Sequence, residues 1–253
     1  MSGTSLQRPS TRWLDGLLIV VIMLAIWQAL YAYAGSVALT APWTTFQFAA
    51  ELLARPTFWG HVQATLSAFA WSVLIAAIVG ILMGLWLGAF RFAGDVADPM
   101  LAALYTIPKV TLYPVILLLF GLGPSAKIAF GVIHGMIPVV LFTLGAVRNI
   151  RPVLLRTARS MHLSTPQTIR FVLVPAVLPE ITSGLRIGFS LCLLGVLIGE
   201  MFASQRGLGF LIINGINSHN VKLTTAVTLI IVISAVASNG ALLALDRRLH
   251  RTA

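Results

Sequence analysis

Apolar residues are grouped along this chain into six long segments, each separated from the next by a polar or a glycine- and proline-rich stretch. A predominantly apolar segment of about 20 residues is long enough to cross the hydrocarbon core of a bilayer as a helix. The pattern therefore predicts an all-α integral membrane protein with six spans. We place them at residues 14–34, 62–90, 100–122, 126–147, 176–202 and 223–245. No internal repeat or low-complexity linker divides residues 1–253, which indicates a single transmembrane domain.

The composition supports this interpretation. The chain is 58% hydrophobic and 9% charged, whereas soluble domains are about 45–50% apolar and about 25% charged. The net charge is +10, but the basic residues lie between apolar segments, where they orient a protein in a membrane, so nucleic acid is not an expected partner. Cys192 is the single cysteine, which excludes an intrachain disulfide and a cysteine metal cluster. We predict no metal or cofactor in this chain.

The distribution of Lys and Arg predicts the orientation. Six spans put both termini on the same side of the membrane. Eleven basic residues then share that side: Arg8, Arg12, Arg91, Arg148, Arg151, Arg156, Arg159, Arg170, Arg247, Arg248 and Arg251. Four face the other side: Arg55, Lys127, Arg206 and Lys222. Because cytoplasmic loops carry the excess of basic residues, both termini are predicted to be cytoplasmic.

The most basic interruption, residues 148–175, lies on this cytoplasmic side and is too long for a simple turn. Leu154, Leu155, Ala158 and Met161 form an apolar stripe with helical spacing. Ser164 and Gln167 are spaced as a capping box that begins a second helix. The loop is thus predicted as helix, turn at residues 162–163, and helix. Two interpretations stay open: a basic amphipathic helix lying on anionic lipid, or a projection that docks into a cytoplasmic partner.

Two of the spans carry regularly spaced small residues. Gly80, Gly84 and Gly88 recur at intervals of four in span two. In span five, one helix face contains Gly184, Gly188, Cys192, Gly195 and Gly199. Bare backbone on one face lets a neighbouring helix approach closely. We therefore predict helix packing at both faces. The face of span five is equally compatible with a position at the seam of a dimer and with one along a translocation pathway.

Polar side chains within spans are the candidates for contact with a transported solute. They are Lys109, His134, Thr143 and Glu200. Each has an alternative interpretation: Lys109, at helical rise roughly 13 Å into span three, can extend to the inner interface, and His134 can be a packing residue. Glu200 is expected near the outer end of span five, where it lines the outer mouth, contacts a delivery protein, or lies in interfacial water.

A family resemblance rests on several short motifs. The run from Thr157 to Ser164, TARSMHLS, followed by VPAVLP at residues 174–179, resembles the EAA-type signature of permease subunits of bacterial ABC importers. In particular it is similar to the nitrate/sulfonate/taurine branch. Further similar motifs are Asp98-Pro99, Ile107-Pro108-Lys109, Phe120-Gly121-Leu122-Gly123, Gly184-Leu185-Arg186, Gly199-Glu200-Met201 and Gly207-Leu208-Gly209. The chain departs from the signature at its acidic position, its first alanine and its glycine, which are Arg156, Thr157 and His162 here.

The resemblance implies the fold of a type I importer permease that acts as a homodimer in the bacterial inner membrane. A coupling helix would contact one of two ATP-binding subunits through Leu155, Arg156, Thr157, Ala158, Arg159, Ser160, Met161, His162, Leu163 and Ser164. A periplasmic or lipid-anchored binding protein would deliver the solute. The resemblance favours a small anion such as a sulfonate, taurine, nitrate or bicarbonate, although related systems carry neutral or cationic heterocycles. ATP and Mg would bind to the partner subunits, and this chain indeed contains no GxxxxGK[ST] sequence.

The alternative function is a self-contained secondary transporter or channel with six spans. Secondary transporters commonly show internal repeats and buried coupling groups. No repeat is evident here, and the acidic residues in or bordering spans, Asp15, Glu180 and Glu200, are near segment ends. An intramembrane enzyme is disfavoured, because the chain has neither a GxSxG nor an HExxH motif.

Overall fold

The computed structural model describes residues 12–251. The predicted N-terminal tail with Arg8 lies outside the described residues. All regular structure in the described part of the chain is helical. The helices are α1 (Arg12–Ala34), α2 (Pro42–Ala54), α3 (Pro56–Ala89), α4 (Arg91–Thr106), α5 (Tyr113–Phe120), α6 (Pro124–Arg148), α7 (Pro152–Ser160), α8 (Thr165–Thr168), α9 (Val174–Ala203), α10 (Leu208–Asn217) and α11 (Val221–Arg251). A 3₁₀ turn, Lys109–Leu112, precedes α5, and a π-helical turn, Ile169–Leu173, joins α8 to α9.

Five helical segments within residues 12–251 are long and apolar enough to cross a membrane: Leu14–Ala34, Pro56–Ala89, Pro124–Arg148, Thr165–Phe202 and Val221–Leu243. A sixth crossing is supplied by α4 and α5 together, which are bent by 91° at the break between them. Proline stands in the first turn of α2, α3, α5, α6 and α7, where its missing N–H would have no helical partner. With the bent pair counted as one span, the described residues contain six candidate crossings, and the boundaries of several differ from the predicted ones.

Span three differs most from its prediction as one segment at residues 100–122. The residue before a proline avoids the helical region of φ and ψ, and Ile107, before Pro108, is extended at φ −65° and ψ 134°. Helix α4 therefore ends at Thr106, and Lys109 lies at the corner of the bend rather than inside a continuous helix. The uniform helical rise on which the predicted depth of Lys109 depends is therefore interrupted after Thr106.

The bent pair connects the two ends of the bundle. Asp95, in the first part of α4, pairs with Arg148 at the C-terminal end of α6. The last residue of α5 is separated from the beginning of α6 only by residues 121–123. Since α6 itself crosses the membrane, α4 and α5 together run from one side to the other. We call the two ends of the bundle the α7 end and the α10 end, after the short helix that lies at each.

Helix α6 is the centre of the bundle and packs most extensively against α9 and α3. The glycines of both predicted small faces point at it. A Cβ at Gly80 would meet the side chain of Val139 at 2.8 Å, and a Cβ at Gly188 would meet the same residue at 2.7 Å from the other side. Gly84, Gly88, Gly184, Gly195 and Gly199 likewise face α6 residues. The neighbour of the span-five face is therefore a helix of the same chain, neither a dimer seam nor an open pathway.

A second core lies at the α10 end. Leu52 of α2, Phe58 of α3, Leu208 of α10 and Val227 of α11 are buried together. Helix α1 lies outside both cores: its apolar side chains are exposed in the single chain, and its polar link is the indole N–H of Trp27, which donates to the carbonyl of Thr40 at 3.1 Å. The apolar surface of α1 is that of a lipid-facing or partner-facing helix.

Span five begins earlier than predicted. The second helix of the basic loop and the span form one helical segment, Thr165–Phe202. Pro175 and Pro179 both lie within it. A proline removes one backbone donor from a helix interior, and the wider π-helical turn just before Pro175 accommodates this loss. The basic residue Arg170 is thus on a helical extension of span five and not in an irregular loop.

Candidate functional site

Helix α7 projects from the α7 end of the bundle, as the sequence predicts for a helix in the basic loop. Ala158 is buried, and Leu154 and Leu155 are half-buried against the rest of the protein. Met161, predicted as the last member of the apolar stripe, is instead 65% exposed. The reason is that the helix ends at Ser160, so Met161 begins the turn and leaves the stripe.

The turn after α7 is a complete Schellman motif. The N–H of Leu163 donates to the carbonyl of Ala158 at 3.1 Å, and the N–H of His162 donates to that of Arg159 at 3.0 Å. This motif requires a left-handed residue after the helix end, which is usually glycine. His162 takes this position with φ 51°. The departure from the family signature at His162 thus falls on a residue whose backbone favours glycine.

The helix that follows is capped as its sequence predicts. The N–H of Ser164 donates to Oε1 of Gln167 at 2.9 Å, and the hydroxyl of Ser164 reaches the same oxygen at 3.0 Å. This is the reach-back contact of a capping box. The turn between α7 and α8 is therefore held at both sides by local hydrogen bonds, so α7 has a fixed direction relative to span five.

The outer face of α7 is exposed and cationic. Val153, Arg156, Thr157 and Ser160 occupy the face opposite Ala158, and Val153 is 59% exposed. Arg159 lies beside this face and is also exposed. Within residues 12–251 no ion pair involves a basic residue of α7. The helix thus offers unpaired positive charge and exposed apolar side chains together, which is the composition of a docking surface.

An ion-pair cluster joins α6 to α4 beside α7. The guanidinium of Arg148, the last residue of α6, contacts a carboxylate oxygen of Asp95 and lies 3.8 Å from that of Asp98. Asp98 and Pro99 belong to a motif of the predicted family, and the structure gives the aspartate this partner. The cluster places a solvent-accessible electrostatic contact between the bent span and the connection that leads into α7.

The α10 end contains a buried ion pair. Glu200 of α9 is fully buried, and its carboxylate accepts hydrogen bonds from the hydroxyl of Thr65 at 2.9 Å and from the N–H of Gly209 at 3.0 Å. The Lys127 ammonium lies 3.8 Å from the same carboxylate. The prediction of a carboxylate in interfacial water is wrong, and this geometry leaves Glu200 no surface from which to line a mouth or contact another protein. Glu200 instead joins α3, α6, α9 and α10.

The beginning of α10 is fastened to this ion pair by its backbone. The N–H of Leu208 donates to the hydroxyl of Thr65 at 2.8 Å, and the N–H of Gly207 donates to Nδ1 of His61 at 3.2 Å. Gly207 has φ 130°, which only glycine adopts readily, and a Cβ there would overlap the carboxylate of Glu200. The Gly207-Leu208-Gly209 motif is thus the backbone half of a polar cluster that fixes α10.

The remaining pathway candidates serve different contacts. The ammonium of Lys109 donates to the carbonyl of Tyr105 at 3.0 Å, at the bend of span three. His134 is buried in α6, where Nδ1 lies 2.9 Å from the carbonyl of Phe130. Thr143 is buried against Gly84. No hydrogen bond or ion pair in the described part of the chain joins any two of the four candidates, so they do not form one polar site.

Lys127 is the functional-site residue that the sequence reasoning did not single out. Its side chain is almost fully buried, and its ammonium also donates to the carbonyl of Arg206 at 2.8 Å. In the sequence it stands at the beginning of a predicted span, where a lysine is ordinarily an interfacial residue. One signal was present: the Gly-Leu-Gly-Pro turn places Lys127 three residues into its helix, already within the apolar segment.

The chain is similar to a known protein family, to several curated proteins and to solved structures. The model of the family described as "Binding-protein-dependent transport system inner membrane component" matches residues 76–251. This range includes α4 to α11 and thus both α7 and the buried ion pair.

Three curated proteins are similar over most of the chain or a large part of it. A putative aliphatic sulfonates transport permease of Bacillus subtilis is 28% identical over 80% of this chain and 74% of its own length. The taurine transport system permease of Escherichia coli is 31% identical over 62% of this chain and 57% of its own length. A nitrate import permease of a Synechocystis species is 29% identical over 79% of this chain and 75% of its own length.

Among solved structures, a chain of the MetNI methionine ABC transporter in an inward-facing crystal form has a similar fold. The TM-score is 0.59 at 18% identity, and the match covers 77% of this chain and 98% of the other. At this identity the comparison concerns the fold, and the predicted type I importer permease fold is confirmed.

Proposed function

Because this chain belongs to the family of binding-protein-dependent transport system inner membrane components, we propose that α7 is the helix through which a partner ATPase moves it. The chain is a permease subunit of an ABC importer and is itself non-catalytic. It is a multi-pass membrane protein of the sulfonate, taurine and nitrate branch. The energy for transport therefore comes from ATP hydrolysis in another chain, and a surface that receives that energy is required.

The observation that carries the proposal is the exposed cationic face of α7. It combines Arg156 and Arg159 with the exposed apolar side chains of Val153 and Met161, and its direction is fixed by the turn at His162. Complementary charge steers association and determines the register of a contact. The groove that receives α7 would consequently be acidic or rich in carbonyl oxygens near Arg156, a position that is acidic in the family signature.

The complete transporter follows from this role. Two copies of the chain would form the pathway, each with its α7 in one of two ATPase subunits that bind ATP and Mg. A periplasmic or lipid-anchored binding protein would deliver the solute to the α10 end. The positive-inside rule puts the α7 end and both termini in the cytoplasm. The bacterial inner membrane is the corresponding location, and each copy would act as one transmembrane domain.

The solute is proposed to be a small anion. Sulfonates, taurine and nitrate appear in the names of the relatives above, and aliphatic sulfonates and nitrate are anions. Conduction requires contacts weak enough for the solute to leave again. Lys109, His134 and Thr143 remain candidates for such contacts, in a conformation in which α6 and its neighbours separate.

The docking of α7 is tested in the assembled transporter by comparing uptake with ATP hydrolysis. Charge reversal in Arg159→Glu and helix disruption in Ala158→Pro should each lower uptake per ATP hydrolysed by at least tenfold, while the chain still inserts in the membrane. Arg170→Glu is the matched control, because Arg170 is an exposed cation on the neighbouring helical extension, outside α7. Normal transport by both α7 variants would show that α7 does not couple the subunits.

The alternative role for α7, a basic helix lying on anionic lipid, gives a different result. Membrane attachment depends on the summed charge near the surface at about 1 kcal/mol per basic residue, so Arg159→Glu and Arg170→Glu would then have equal effects. The other candidate function, a self-contained secondary transporter, is tested by reconstituting the chain alone in liposomes. Uptake driven by an ion gradient without an ATPase would overturn the importer assignment.

A further inference from the structure

A cavity of about 660 Å³ opens at the α10 end, beside the buried ion pair, and Lys127 of that pair is one of its lining residues. Its walls come from three parts of the chain: the first half of α3, the turn that leads into α6, and the connection between α9 and α10. The polar residues that line it are Ser67, Lys127, Ser204, Gln205 and Arg206. Small-molecule sites typically occupy about 300–1,000 Å³, so the cavity is large enough for a small solute.

The charge of this cavity is positive. Among the described residues, no carboxylate lines it. The ammonium of Lys127 is partly compensated by Glu200 at 3.8 Å, behind the wall, and is held by the carbonyl of Arg206. The guanidinium of Arg206 is exposed and makes no ion pair or hydrogen bond within residues 12–251. Arg206 is therefore a cation at the cavity surface, and its guanidinium N–H groups can donate to a bound ligand.

The wall that carries Arg206 is held in place by its backbone. The N–H of Arg206 donates to the hydroxyl of Ser204 at 3.1 Å, and that hydroxyl donates to the carbonyl of Arg206 at 2.5 Å. The same carbonyl accepts from Lys127, and the next residue, Gly207, donates to His61. These contacts hold the backbone of the loop and leave the exposed guanidinium unbound within residues 12–251, so a bound anion would not have to order the backbone.

From this arrangement we propose that the cavity is a receiving site for a small oxyanion, with Arg206 as the residue that contacts it. A guanidinium presents its donors in a planar fork that matches two oxygens of a sulfonate, carboxylate or nitrate group. Lys127 adds positive potential from behind the wall. The apolar remainder of the lining, Ala64, Ala68, Leu122 and Pro124, accommodates an uncharged part of the solute. The proposal deepens the proposed function, because it assigns the anionic solute a first contact in the permease.

The site is built for transient contact. One available guanidinium at an open surface binds an anion weakly, and weak binding is what a transport pathway requires. Its main effect is a raised local concentration of anions at the cavity, since a positive cleft attracts them and repels cations. The expected signature is therefore a preference in rate between charged reagents, rather than a tight binding constant.

Cysteine modification measures this preference directly. Ser67→Cys introduces a thiol of similar size at an exposed position in the cavity, and the native Cys192 is buried and does not contribute. In membranes containing the chain, two methanethiosulfonate reagents are compared, one with an ethylsulfonate group and one with a trimethylammonium group. Ser36→Cys is the reference, because Ser36 is an exposed residue in the turn after α1, away from the cavity.

The anionic-to-cationic rate ratio at Ser67→Cys should exceed that at Ser36→Cys about five- to tenfold. Arg206→Gln in the Ser67→Cys background should bring the ratio close to the reference. Arg206→Lys should retain most of the preference. Ethanesulfonate or nitrate in the millimolar range should slow the anionic reagent at Ser67→Cys more than at Ser36→Cys.

Three results would overturn the proposal: equal ratios at the two positions, a preference that survives Arg206→Gln, or no labelling at Ser67→Cys when Ser36→Cys is labelled. The experiment needs no ATPase, so it is independent of the docking test on α7. Labelling of both cysteines from the cytoplasmic side alone would contradict the orientation in the proposed function and leave the anion site intact. Absence of the charge preference would contradict the anion site and leave the orientation in the proposed function intact.

Discussion

Helix α6 is tied to a neighbour at each of its ends by an ion pair, and the two pairs differ in their surroundings. At the α10 end, Lys127 and Glu200 have side chains that are 8% and 0% exposed. At the α7 end, the side chain of Arg148 is 24% exposed, and those of Asp95 and Asp98 are 58% and 51% exposed. A basic side chain therefore pairs with a carboxylate once in the buried interior and once in contact with water.

The difference indicates which end of the bundle is fixed. A buried charge must keep all its partners, because removing one leaves the other uncompensated at a cost of about 3–5 kcal/mol. An exposed pair contributes only about 0–1 kcal/mol, since water replaces either partner. The α10 end is thus held in one arrangement, whereas the α7 end can exchange partners at low cost. A helix that transmits movement from another subunit requires such an end next to it.

The largest expected effect comes from breaking the buried pair. Glu200→Ala leaves the Lys127 ammonium buried with one backbone carbonyl and removes the acceptor for Thr65 and Gly209. We expect a loss of about 3–5 kcal/mol in the free energy of unfolding. This corresponds to a melting temperature lower by roughly 10 °C in a protein of this size. Thermal unfolding of the purified chain in detergent measures it.

A matched carboxylate provides the control for Glu200. Glu51 pairs with Arg55 at 3.9 Å, and the two side chains are 62% and 55% exposed. Glu51→Ala should change the stability by no more than about 0.5 kcal/mol. If Glu200→Ala were equally mild, the carboxylate would not be the centre of a buried cluster, and the contrast between the two ends of α6 would fail.

A smaller loss is expected from Thr65→Val. The hydroxyl of Thr65 donates to Glu200 and accepts from the N–H of Leu208, and valine can do neither. The buried N–H of Leu208 would then have no partner, at a cost of about 1–3 kcal/mol. Thr106→Val is the matched control, because the exposed hydroxyl of Thr106 contacts only the carbonyl of Ala103 in its own helix. Equal melting temperatures for the two variants would contradict this role of Thr65.

At the α7 end, Asp95→Asn together with Asp98→Asn should cost no more than about 1 kcal/mol. The reason is that both carboxylate side chains are more than half exposed to solvent. Salt sharpens the comparison: with a Debye length of about 3 Å at 1 M salt, the difference from the unaltered chain should disappear there. The loss in Glu200→Ala should persist at the same salt concentration. Unfolding measured at low and high salt for both variants provides the test.

Much of this architecture could be predicted from the sequence, because its causes are local. Long apolar segments predicted the spans, four-residue glycine spacing predicted close helix contacts, and the Ser164 and Gln167 pair predicted the start of α8. The residues of α7 were also located by a local pattern. Each of these features depends on residues that are near one another in the chain, and this is the range over which a sequence pattern is informative.

The features that were missed depend on distant partners or on geometry. Lys127 and Glu200 belong to different spans, and each by itself has the sequence context of an interfacial residue. The start of span five was misplaced because basic residues such as Arg170 are typical of a loop, although a helix can carry them beyond the membrane. Pro108 lies inside the predicted span three, but nothing local determines that the chain turns by 91° there.

The smallest expected effect concerns the turn that directs α7. His162 holds a left-handed backbone at φ 51°, which costs a β-branched side chain more than histidine, and glycine least. The turn should therefore be most stable in His162→Gly, less stable with the native histidine and least stable in His162→Val. Each step should be about 1 kcal/mol or less. Hydrogen exchange at the N–H groups of His162 and Leu163 reports this locally, and 1 kcal/mol is roughly a fivefold change in protection.

A matched turn exists at the opposite end of the molecule. His219 follows α10 with φ 53°, and the N–H of Asn220 donates to the carbonyl of Gly215 in the same Schellman arrangement. His219→Val should loosen that turn to a similar extent, yet only His162→Val should reduce uptake per ATP hydrolysed, because only the first turn directs α7. Equal losses of coupling from the two valine variants would mean that the turn acts through general stability, and that the α7 end has no special part in coupling.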